Sequence, residues 1–404
     1  MLSEGINMAI NAADTVWVLI SSALVLLMLP GLALFYGGLV QRKNVLSSMM
    51  HSYVAMGVMA IEWVVIGYSL AFGEGNWFVG GLGNAFLRGI DPNSVTGTIP
   101  TYAFIAFQGM FAIITPALIS GAIVGRIKFK SYIAFIALWG LIVYAPVCHW
   151  VWGGGFLTGE ALDFAGGTVV HITAGMSSLA ILAFLGKRRG YGVDSLKPHN
   201  VTLTLVGAGL LWFGWFGFNA GSALAANEIA AVAFITTLIA PAAAGLAWMA
   251  LEWHRLGHPT ALGFSTGVLA GLVAITPAAG FVTPMAAILI GVIASFICYE
   301  AVEIKAKLGY DDSLDAFGVH GVGGITGALL TGVFASVGAT GLLLGNSGQL
   351  MTQFEGVVLT IIYSIAGTLL IGFLIQKTIG LKVSESDENI GLDKTQHGEA
   401  AYNI

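Results

Sequence analysis

Long apolar stretches separated by short polar segments occupy the chain from about residue 15 to residue 376. Windows of about 20 apolar residues, the length of a helix that crosses a bilayer, predict eleven transmembrane spans. They begin near Val16, Ser48, Tyr102, Tyr132, Gly167, Thr202, Ile229, Ala261, Ala286, Phe317 and Gly356. The pattern predicts an all-α, polytopic membrane protein, with a transmembrane domain over residues 1–376 and a polar tail over residues 377–404.

The composition agrees with this pattern. Hydrophobic residues make up 57% of the chain and charged residues only 9%, against about 25% charged residues in soluble domains. The first 15 residues contain Glu4 and Asp14 but no Lys or Arg. A cleaved signal peptide begins with basic residues, so we expect the first span to remain in the mature protein.

The distribution of basic residues predicts the orientation of the spans. Because eleven is an odd number, the two termini lie on opposite sides of the membrane. With the N-terminus outside, all of the 16 Lys and Arg residues except Arg88 fall in inner segments, as the positive-inside rule requires. The sequence therefore predicts an outer N-terminus and a cytoplasmic C-terminal tail.

Two glycine-rich stretches, residues 167–175 and 318–327, each carry one histidine. Small residues of this kind let membrane helices approach closely. Asp163 precedes His171 at the start of the fifth predicted span, and Asp315 precedes His320 at the start of the tenth, which is entered from the other side. We expect spans one to five and six to ten to form an inverted repeat with a pseudo-two-fold axis, followed by a last helix.

Histidine supplies the first candidates for chemistry. Six of the eight histidines fall in loops, at span ends or in the tail: His51, His149, His199, His254, His258 and His397. His171 and His320 remain inside the apolar region, where an ionisable side chain usually faces a cavity or a partner. Each could be a neutral core histidine, but two at related places favour binding of a small polar solute or relay of a proton.

A metal site is an alternative use of such a histidine pair. A third ligand, such as a carboxylate or thiolate at helical spacing, would accompany it, and none lies nearby. Cys148 and Cys298 form no Cys-x-x-Cys pair, so neither a zinc site nor a disulfide framework is predicted. Glu62 lies in the middle of the second span, where it must be paired or protonated; the sequence offers no partner for it.

Aromatic residues are dense at the outer ends of several spans. Most such residues anchor a helix at the membrane interface. The sixth span differs, because it contains the run Trp212-Phe-Gly-Trp-Phe-Gly-Phe-Asn-Ala-Gly-Ser222. Rings followed by an amide and a hydroxyl suit a cation held by ring faces. Asp163 could attract that cation, although capping the first amides of the fifth helix is the simpler role.

Four runs closely resemble motifs of the ammonium transporter family. They are Asp163-Phe-Ala-Gly-Gly-Thr-Val-Val-His171, Gly214-Trp-Phe-Gly-Phe-Asn-Ala-Gly-Ser222, Ala225-Ala-Asn-Glu-Ile-Ala230 and Phe317-Gly-Val-His-Gly321. Shorter matches between Gly67 and the tail extend the resemblance over the whole chain. The bacterial and archaeal Amt branch fits better than the Rhesus branch, because Trp152, Ser222 and the paired aromatic residues are present.

This resemblance implies an eleven-helix homotrimer in the cell (inner) membrane, with one pore in each protomer. It also implies site residues, carried over by motif position: Trp152, Ser222, Phe107, Phe111 and Asp163 in an outer substrate site, Phe111 and Phe218 in a gate, His171, His320 and Trp215 in the pore, and Asp312 at the cytoplasmic pore end. The tail would be regulatory and would contact a PII-type signalling protein. No enzymatic activity, cofactor, metal or nucleic-acid partner is implied.

The function that follows is transport of ammonium or ammonia through an apolar twin-histidine pore. Potassium resembles ammonium in size and charge, so a site for any monovalent cation would not separate them. Ammonium can release a proton, whereas an apolar constriction penalises an ion that stays charged. We therefore expect recruitment and deprotonation of the cation at the outer site, and the resemblance favours a proton that travels separately along the histidines.

Other functions fit parts of the same pattern. Some relatives sense ammonium; a chain that ends at Ile404 leaves no room for a fused output domain, so we expect a sensor of this kind to act through a partner. A Rhesus-type gas channel would conduct ammonia without an outer cation site and without charge movement. A membrane enzyme with a di-histidine metal would need further ligands in the spans.

Overall fold

The computed structural model describes residues 10–194 and 196–402, so Glu4 lies outside the described residues. The α-helices are α1 (Ala12–Leu39), α2 (Val45–Glu62), α3 (Tyr68–Phe72), α4 (Thr101–Ile123), α5 (Phe129–Trp139), α6 (Ala145–Trp152), α7 (Thr173–Leu185), α8 (Val201–Ala220), α9 (Glu228–Leu256), α10 (Ala261–Ile275), α11 (Pro284–Leu308), α12 (Val322–Phe334), α13 (Ser347–Thr378), α14 (Glu385–Ile390) and α15 (Leu392–His397). Two short antiparallel strands, β1 (Val95–Thr96) and β2 (Ile99–Pro100), lie between α3 and α4.

Within the described residues, ten helical segments are long and apolar enough to cross a membrane. They run Ala12–Leu39, Arg42–Phe72, Thr101–Ile123, Phe129–Trp152, Gly167–Leu185, Val201–Ala223, Glu228–Leu256, Pro284–Leu308, Phe317–Phe334 and Ser347–Thr378. The prediction of a mostly helical, multi-pass membrane protein is confirmed.

The last of these spans starts earlier than the sequence predicted, at Ser347 rather than near Gly356. Its first turns contain polar residues that face the protein instead of lipid. Gln353 is buried, and its amide nitrogen donates to the backbone oxygens of Leu162 at 2.8 Å and Ala328 at 3.0 Å. Gln353 interrupts the apolar window from which the span was predicted, so the predicted start fell after it. Because its side chain is hydrogen-bonded inside the protein, it does not interrupt the helix.

The eighth predicted span, expected from Ala261, is the shorter helix α10, which has 15 residues. At about 1.5 Å per residue it extends roughly 22 Å, less than the roughly 30 Å of a hydrocarbon core. The chain continues through residues 276–282 without a helix, and all of these residues except Phe281 are buried. Irregular backbone is tolerated at membrane depth where surrounding protein covers it.

Four π-helical segments interrupt the spans of the described chain: Trp63–Gly67, Gly140–Tyr144, Gly167–Ile172 and Phe317–Gly321. A π-helix widens one turn and occurs often at functional sites. The last two segments contain His171 and His320, and each leads into an α-helix of 13 residues, α7 or α12. The two glycine-rich stretches therefore share a local structure that periodicity alone did not predict.

Helices α1 and α8 pack closely because glycines line their contact. A Cβ atom at Gly207 would lie 2.3 Å from the backbone nitrogen of Phe35, and one at Gly38 would lie 2.6 Å from the backbone oxygen of Asn200. Helices without side chains at such positions can approach to backbone contact. This packing holds α8 against α1, which in turn contacts α4, the most buried of the spans.

The segment after α13 folds back against three parts of the membrane domain. The Asp393 carboxylate accepts from the backbone nitrogen of Ser47 at 2.8 Å, and the Gln396 side chain accepts from the backbone nitrogen of Phe129 at 3.2 Å. The Glu388 carboxylate accepts from the backbone nitrogen of Arg189 at 2.5 Å. The tail thus joins the start of α2, the start of α5 and the segment after α7.

His51 does not lie at a span end, as we expected, but inside α2, because that helix begins at Val45 and the tail covers its first turns. It is fully buried, with ring centroids 4.4 Å from Tyr132 and 6.0 Å from Phe129. His397 of the tail packs edge-on against Phe129 at 4.6 Å. Both ring nitrogens of His51 and Nε2 of His397 are buried without a hydrogen-bond partner in the described residues.

We predict that acidic pH weakens docking of the tail through His397. Burial lowers the pKa of His397, while Asp393 and Glu399 oppose that shift; His51 is the ionisable group that faces it from α2. Because the docked histidine binds a proton less readily than the free one, docking is strongest above about pH 6.5 and weakens as pH falls below it.

Hydrogen exchange in residues 385–397, corrected for the intrinsic pH dependence of exchange, measures this effect. Exchange should rise as pH falls from about 7.5 to about 5.5, the range in which a free histidine titrates. His397→Gln should remove most of the rise, since glutamine stays neutral. The same rise in both proteins would show that another group is responsible.

Candidate functional site

The two interior histidines face each other. His171 and His320 are both buried, their Nδ1 atoms are 3.3 Å apart, and their rings are nearly parallel, with an interplanar angle of 15° and centroids 5.3 Å apart. A hydrogen bond between two neutral imidazoles requires one Nδ1 to donate and the other to accept. The pair therefore shares one proton at this contact, and only one of the two Nε2 atoms carries hydrogen.

Glycines allow the two histidine-bearing segments to come this close. A Cβ atom at Gly175 would lie 2.1 Å from the backbone nitrogen of Gly321. One at Gly324 would lie 3.0 Å from Cβ of His171. The close approach expected from the small residues thus occurs where the histidines meet.

Aromatic rings of α8 stack on His171. The Trp215 ring lies 5.5 Å away at an angle of 19°, and the Phe218 ring 6.1 Å away at 29°. The Trp215 nitrogen donates to Oγ1 of Thr276 at 2.9 Å, so it is not available to a solute. A cavity at the pair is lined by the two histidines, these two rings, and Met28, Leu32, Ile114, Leu118, Val170, Leu211 and Leu269. Within it, the histidines supply the free hydrogen-bonding atoms.

A second cavity, which we call the outer vestibule, opens on the side of the predicted outer face. It is lined by Phe72, Phe104, Gln108, Phe111, Val151, Trp152, Thr158, Phe164, Ser222 and Leu224. Three residues predicted for the outer site, Phe111, Trp152 and Ser222, are therefore brought together. Phe107 does not line this cavity, because it is fully buried behind Phe111 at a centroid distance of 5.0 Å.

Phe111 and Phe218 separate the outer vestibule from the histidine cavity. Phe111 lines the first and Phe218 the second, and their centroids are 4.4 Å apart. Trp152 stands edge-on to Phe111 at 5.8 Å, and its ring nitrogen donates to the backbone oxygen of Asp163 at 2.8 Å. The two phenyl rings are therefore in contact where the two cavities meet.

Asp163 is buried and uses both carboxylate oxygens on backbone amides at the start of the fifth span. The donors are the backbone nitrogens of Gly166 and Gly167, at 2.9 and 2.6 Å from Oδ1, and of Thr168 and Val169, at 2.9 and 3.0 Å from Oδ2. Burial raises the pKa of Asp163, and these four N–H groups oppose the rise. The geometry makes Asp163 a cap, whose carboxylate does not line the outer vestibule.

Asp312 caps the other histidine-bearing segment. Its carboxylate accepts from the backbone nitrogens of Ala316 at 3.1 Å and Phe317 at 2.7 Å. Asp163 and Asp312 precede their histidines by the same number of residues. Asp315, the acidic residue that we compared with Asp163 in the sequence, lies nearer the π-helix, but Asp312 is the residue whose side chain caps it. Burial raises the pKa of Asp312 to about 6, and the charge of Asp315 adds to the rise.

A third cavity, the inner vestibule, reaches His320 from the opposite side. Its lining consists of Phe35, Tyr36, Leu39, Leu196, Pro198, Leu262, Thr266, Leu269, Ser313, Leu314, Asp315, Ala316, Val319 and His320. Asp315 thus lines this end of the passage and forms an ion pair with Lys305. Asp312, predicted for the same end, supports it from behind as a cap.

Glu62 ends α2, directly before the first π-helical segment, and is half-buried. Its carboxylate lies against Gly140, where an added Cβ atom would be 2.3 Å from Oε1. Among the described residues it forms no ion pair. It lies apart from the residues that line the passage.

Sequence reasoning missed Gln108 and Thr158 in the outer vestibule and Thr276 beside Trp215. Gln108 could have been predicted from the sequence. Phe104, Gln108 and Phe111 are spaced four and then three residues apart, so they must share one face of α4. Thr158 and Thr276 lie in irregular segments. No periodic signal points to them, and only the tertiary structure brings them to the passage.

A multi-pass helical protein with vestibules on two sides of a narrow, apolar passage has the architecture of a membrane transport protein. The sequence model of the Ammonium Transporter Family matches residues 16–402. The chain belongs to the ammonium transporter family.

Known relatives agree over nearly the full length. The ammonium transporter of Aquifex aeolicus is 52% identical, covering 98% of this chain and 94% of that protein. The one from Bacillus subtilis is 48% identical, with coverages of 96% and 98%, and ammonium transporter Amt1 of Archaeoglobus fulgidus is 44% identical, with coverages of 96% and 99%. The resemblance found in the sequence is thus confirmed, with bacterial and archaeal proteins among the relatives.

Solved structures show the same fold. The crystal structure of Candida albicans Mep2 has a TM-score of 0.88 and 35% identity, covering 95% of this chain and 89% of that one. A structure named Sensor Amt Protein has a TM-score of 0.89 and 30% identity, with coverages of 96% and 98%.

We predict that replacing Asp163 lowers stability, and that Ala is worse than Asn. Asp163→Ala leaves four buried N–H groups without acceptors, and an unsatisfied buried donor costs about 1–3 kcal/mol. Asp163→Asn keeps one oxygen but turns an NH₂ group toward two of the donors. The melting temperature of the purified protein should fall in the order wild type, Asn, Ala.

Glu74→Ala is the control, since Glu74 is an exposed acidic residue between α3 and α4. It should leave the melting temperature unchanged. An alanine variant at position 163 that melts like the wild type would contradict the capping role.

Proposed function

We propose that this protein transports ammonium by recruiting the cation in the outer vestibule, removing one proton, and passing ammonia through the pore along His171 and His320. The observation that carries the proposal is the facing histidine pair in an otherwise apolar cavity. Membership of the ammonium transporter family makes ammonium the substrate to test first.

Recruitment uses aromatic rings and hydroxyl oxygen. Trp152 and Phe111 both line the outer vestibule, and a cation over such a ring gains about 0.5–2 kcal/mol. Ser222 lines the same cavity, and its hydroxyl donates to the backbone oxygen of Phe218 at 2.8 Å. Its lone pairs therefore remain for an N–H donor. Phe107 and Asp163 support this site from behind, through Phe111 and the backbone that holds Trp152.

Deprotonation separates ammonium from potassium. Beyond Phe111 and Phe218 the passage offers no charged partner and few polar atoms, so a cation that enters it loses its hydration without replacement. Ammonia needs only a hydrogen-bond donor and acceptor, which a pair of neutral imidazoles provides. The released proton moves along the pair, so transport carries charge.

The remaining architecture follows from the family. We infer eleven spans, with α10 and the buried segment after it forming the eighth, an inverted five-plus-five repeat, an outer N-terminus and a cytoplasmic tail. The protein forms a homotrimer in the cell (inner) membrane. Residues 1–376 form the transport domain, and residues 377–404 are a regulatory tail that contacts a PII-type protein. Docking of the tail on three parts of the membrane domain supports a regulatory role.

Ammonium sensing is the second candidate, because the solved structure named Sensor Amt Protein matches the fold at a TM-score of 0.89. A sensor would bind ammonium in the same outer vestibule without net flux. A Rhesus-type gas channel is less well supported, because Trp152 and Ser222 meet in a vestibule suited to a cation. Ammonium-driven current and labelled ammonium uptake, measured on one reconstituted preparation, separate the three functions.

We predict that Trp152→Leu weakens selection for ammonium. Leucine keeps an apolar wall but removes the ring face that stabilises the cation, and a loss of about 0.5–2 kcal/mol lowers the affinity roughly twofold to thirtyfold. The ratio of ammonium to methylammonium uptake should change in proteoliposomes. Trp77→Leu, at an exposed tryptophan outside the vestibule, is the control. An unchanged ratio would show that Trp152 does not recruit the cation.

The histidine pair gives the decisive prediction. His171→Asp or His320→Asp places a carboxylate in the passage, so that potassium should enter and carry current. Replacing both histidines by leucine should abolish ammonium-driven current, because no group is left to carry the proton. His254→Asp, at an exposed position of α9, should behave as the wild type. Wild-type current in the double leucine variant, with potassium still excluded, would mean that the two rings only pack.

A further inference from the structure

Gln108 is the polar residue of the outer vestibule that the proposed mechanism leaves unused. It lies on α4 between Phe104 and Phe111, one turn from each, and all three line the cavity. The residue is almost completely buried, yet Oε1 of its amide has no hydrogen-bond partner in the described residues. A buried amide oxygen without a partner is costly and requires an explanation.

The other polar side chains of the vestibule are already engaged. The Thr158 hydroxyl donates to the backbone oxygen of Trp150 at 3.1 Å and accepts from the backbone nitrogen of Gly154 at 3.1 Å. The Ser222 hydroxyl donates to Phe218. Oε1 of Gln108 accepts no hydrogen bond in the described residues, so both of its lone pairs are free, as are those of the Ser222 hydroxyl oxygen.

The chemistry of the cation makes such an acceptor useful. Ammonium has four N–H donors, and ring faces attract its charge without fixing the direction of its hydrogens. Oxygen acceptors are needed to replace the water that the ion loses on entering the vestibule. The terminal torsion of a glutamine is broad and roughly two-fold, so the amide can turn its oxygen toward the cavity.

We propose that the side-chain amide of Gln108 is a further ligand of the outer ammonium site, with Oε1 accepting a hydrogen bond from the cation. The inference rests on the proposed transport function and adds one acceptor to it. Gln108 and Ser222 then supply oxygen, and Phe111 and Trp152 supply ring faces. An ammonium ion in this position gives the amide oxygen its hydrogen bond.

Gln108→Met tests the assignment, because methionine has similar length and no acceptor of comparable strength. The apparent KM for ammonium uptake should rise about tenfold, the size expected for one lost hydrogen bond to a charged group, with kcat little changed. The KM for methylammonium should rise less, since that ion has one N–H fewer and can turn its methyl group to the vacated place. Phe104→Leu, which alters the same wall without removing an acceptor, should change KM for both ions alike.

Gln108→Glu is the second variant, and it restores an oxygen acceptor at the same length. Its KM for ammonium should return to the wild-type value or below, and its discrimination against potassium should weaken because of the added charge. A structural role for Gln108 would instead lower stability in both variants and give no rescue by glutamate. An unchanged KM in Gln108→Met, or equal KM values in the Met and Glu variants, would overturn the inference. Absence of uptake in the wild type would overturn the transport function itself, which separates the two failures.

Discussion

Backbone amides at membrane depth must be hydrogen-bonded, and this requirement determines how the two histidines are presented. Both histidines stand in π-helical segments that begin inside the protein, where the first N–H groups of the segment have no partners within it. Asp163 and Asp312 supply those partners through their carboxylates. The two aspartates therefore act on the passage without touching it. Loss of either would release the backbone that sets the distance between the rings.

The polar groups that line the three cavities lie at the two ends and at the histidine pair between them. The outer vestibule combines ring faces with the oxygens of Ser222, Thr158 and Gln108. Two phenyl rings then separate this cavity from the next, in which the histidines are the hydrogen-bonding groups. On the far side Tyr36, Ser313 and Asp315 line the inner vestibule. Polar side chains thus lie at the two ends, while the cavity between them is apolar apart from the histidine pair.

Much of this arrangement could be predicted from the sequence, because apolar windows identify the spans without knowledge of distant contacts. His171 and His320 stand out as ionisable residues inside two of those spans. The multi-pass helical fold, the interior position of His171 and His320, and the family could all be predicted. The position of Phe107 behind Phe111, the capping role of Asp312 in place of Asp315, and the burial of His51 could not. Each depends on a π-helical turn or on a distant segment such as the tail, and neither leaves a periodic signal in the chain. The start of α13 was missed for a related reason, since Gln353 is polar yet satisfied inside the protein.

Because a single hydrogen lies between the two facing Nδ1 atoms, the pair has two alternative tautomeric states. With His171 as donor, its Nε2 is bare and that of His320 carries hydrogen; with His320 as donor, the assignment is reversed. In the proposed transport function, a proton relayed from His171 to His320 leaves the pair in the reversed tautomer, with hydrogen on Nε2 of His171. The hydrogens must then be returned to their starting places before another relay can begin. The proposed transport function therefore requires that the two tautomers be reset once for every proton that the pair relays.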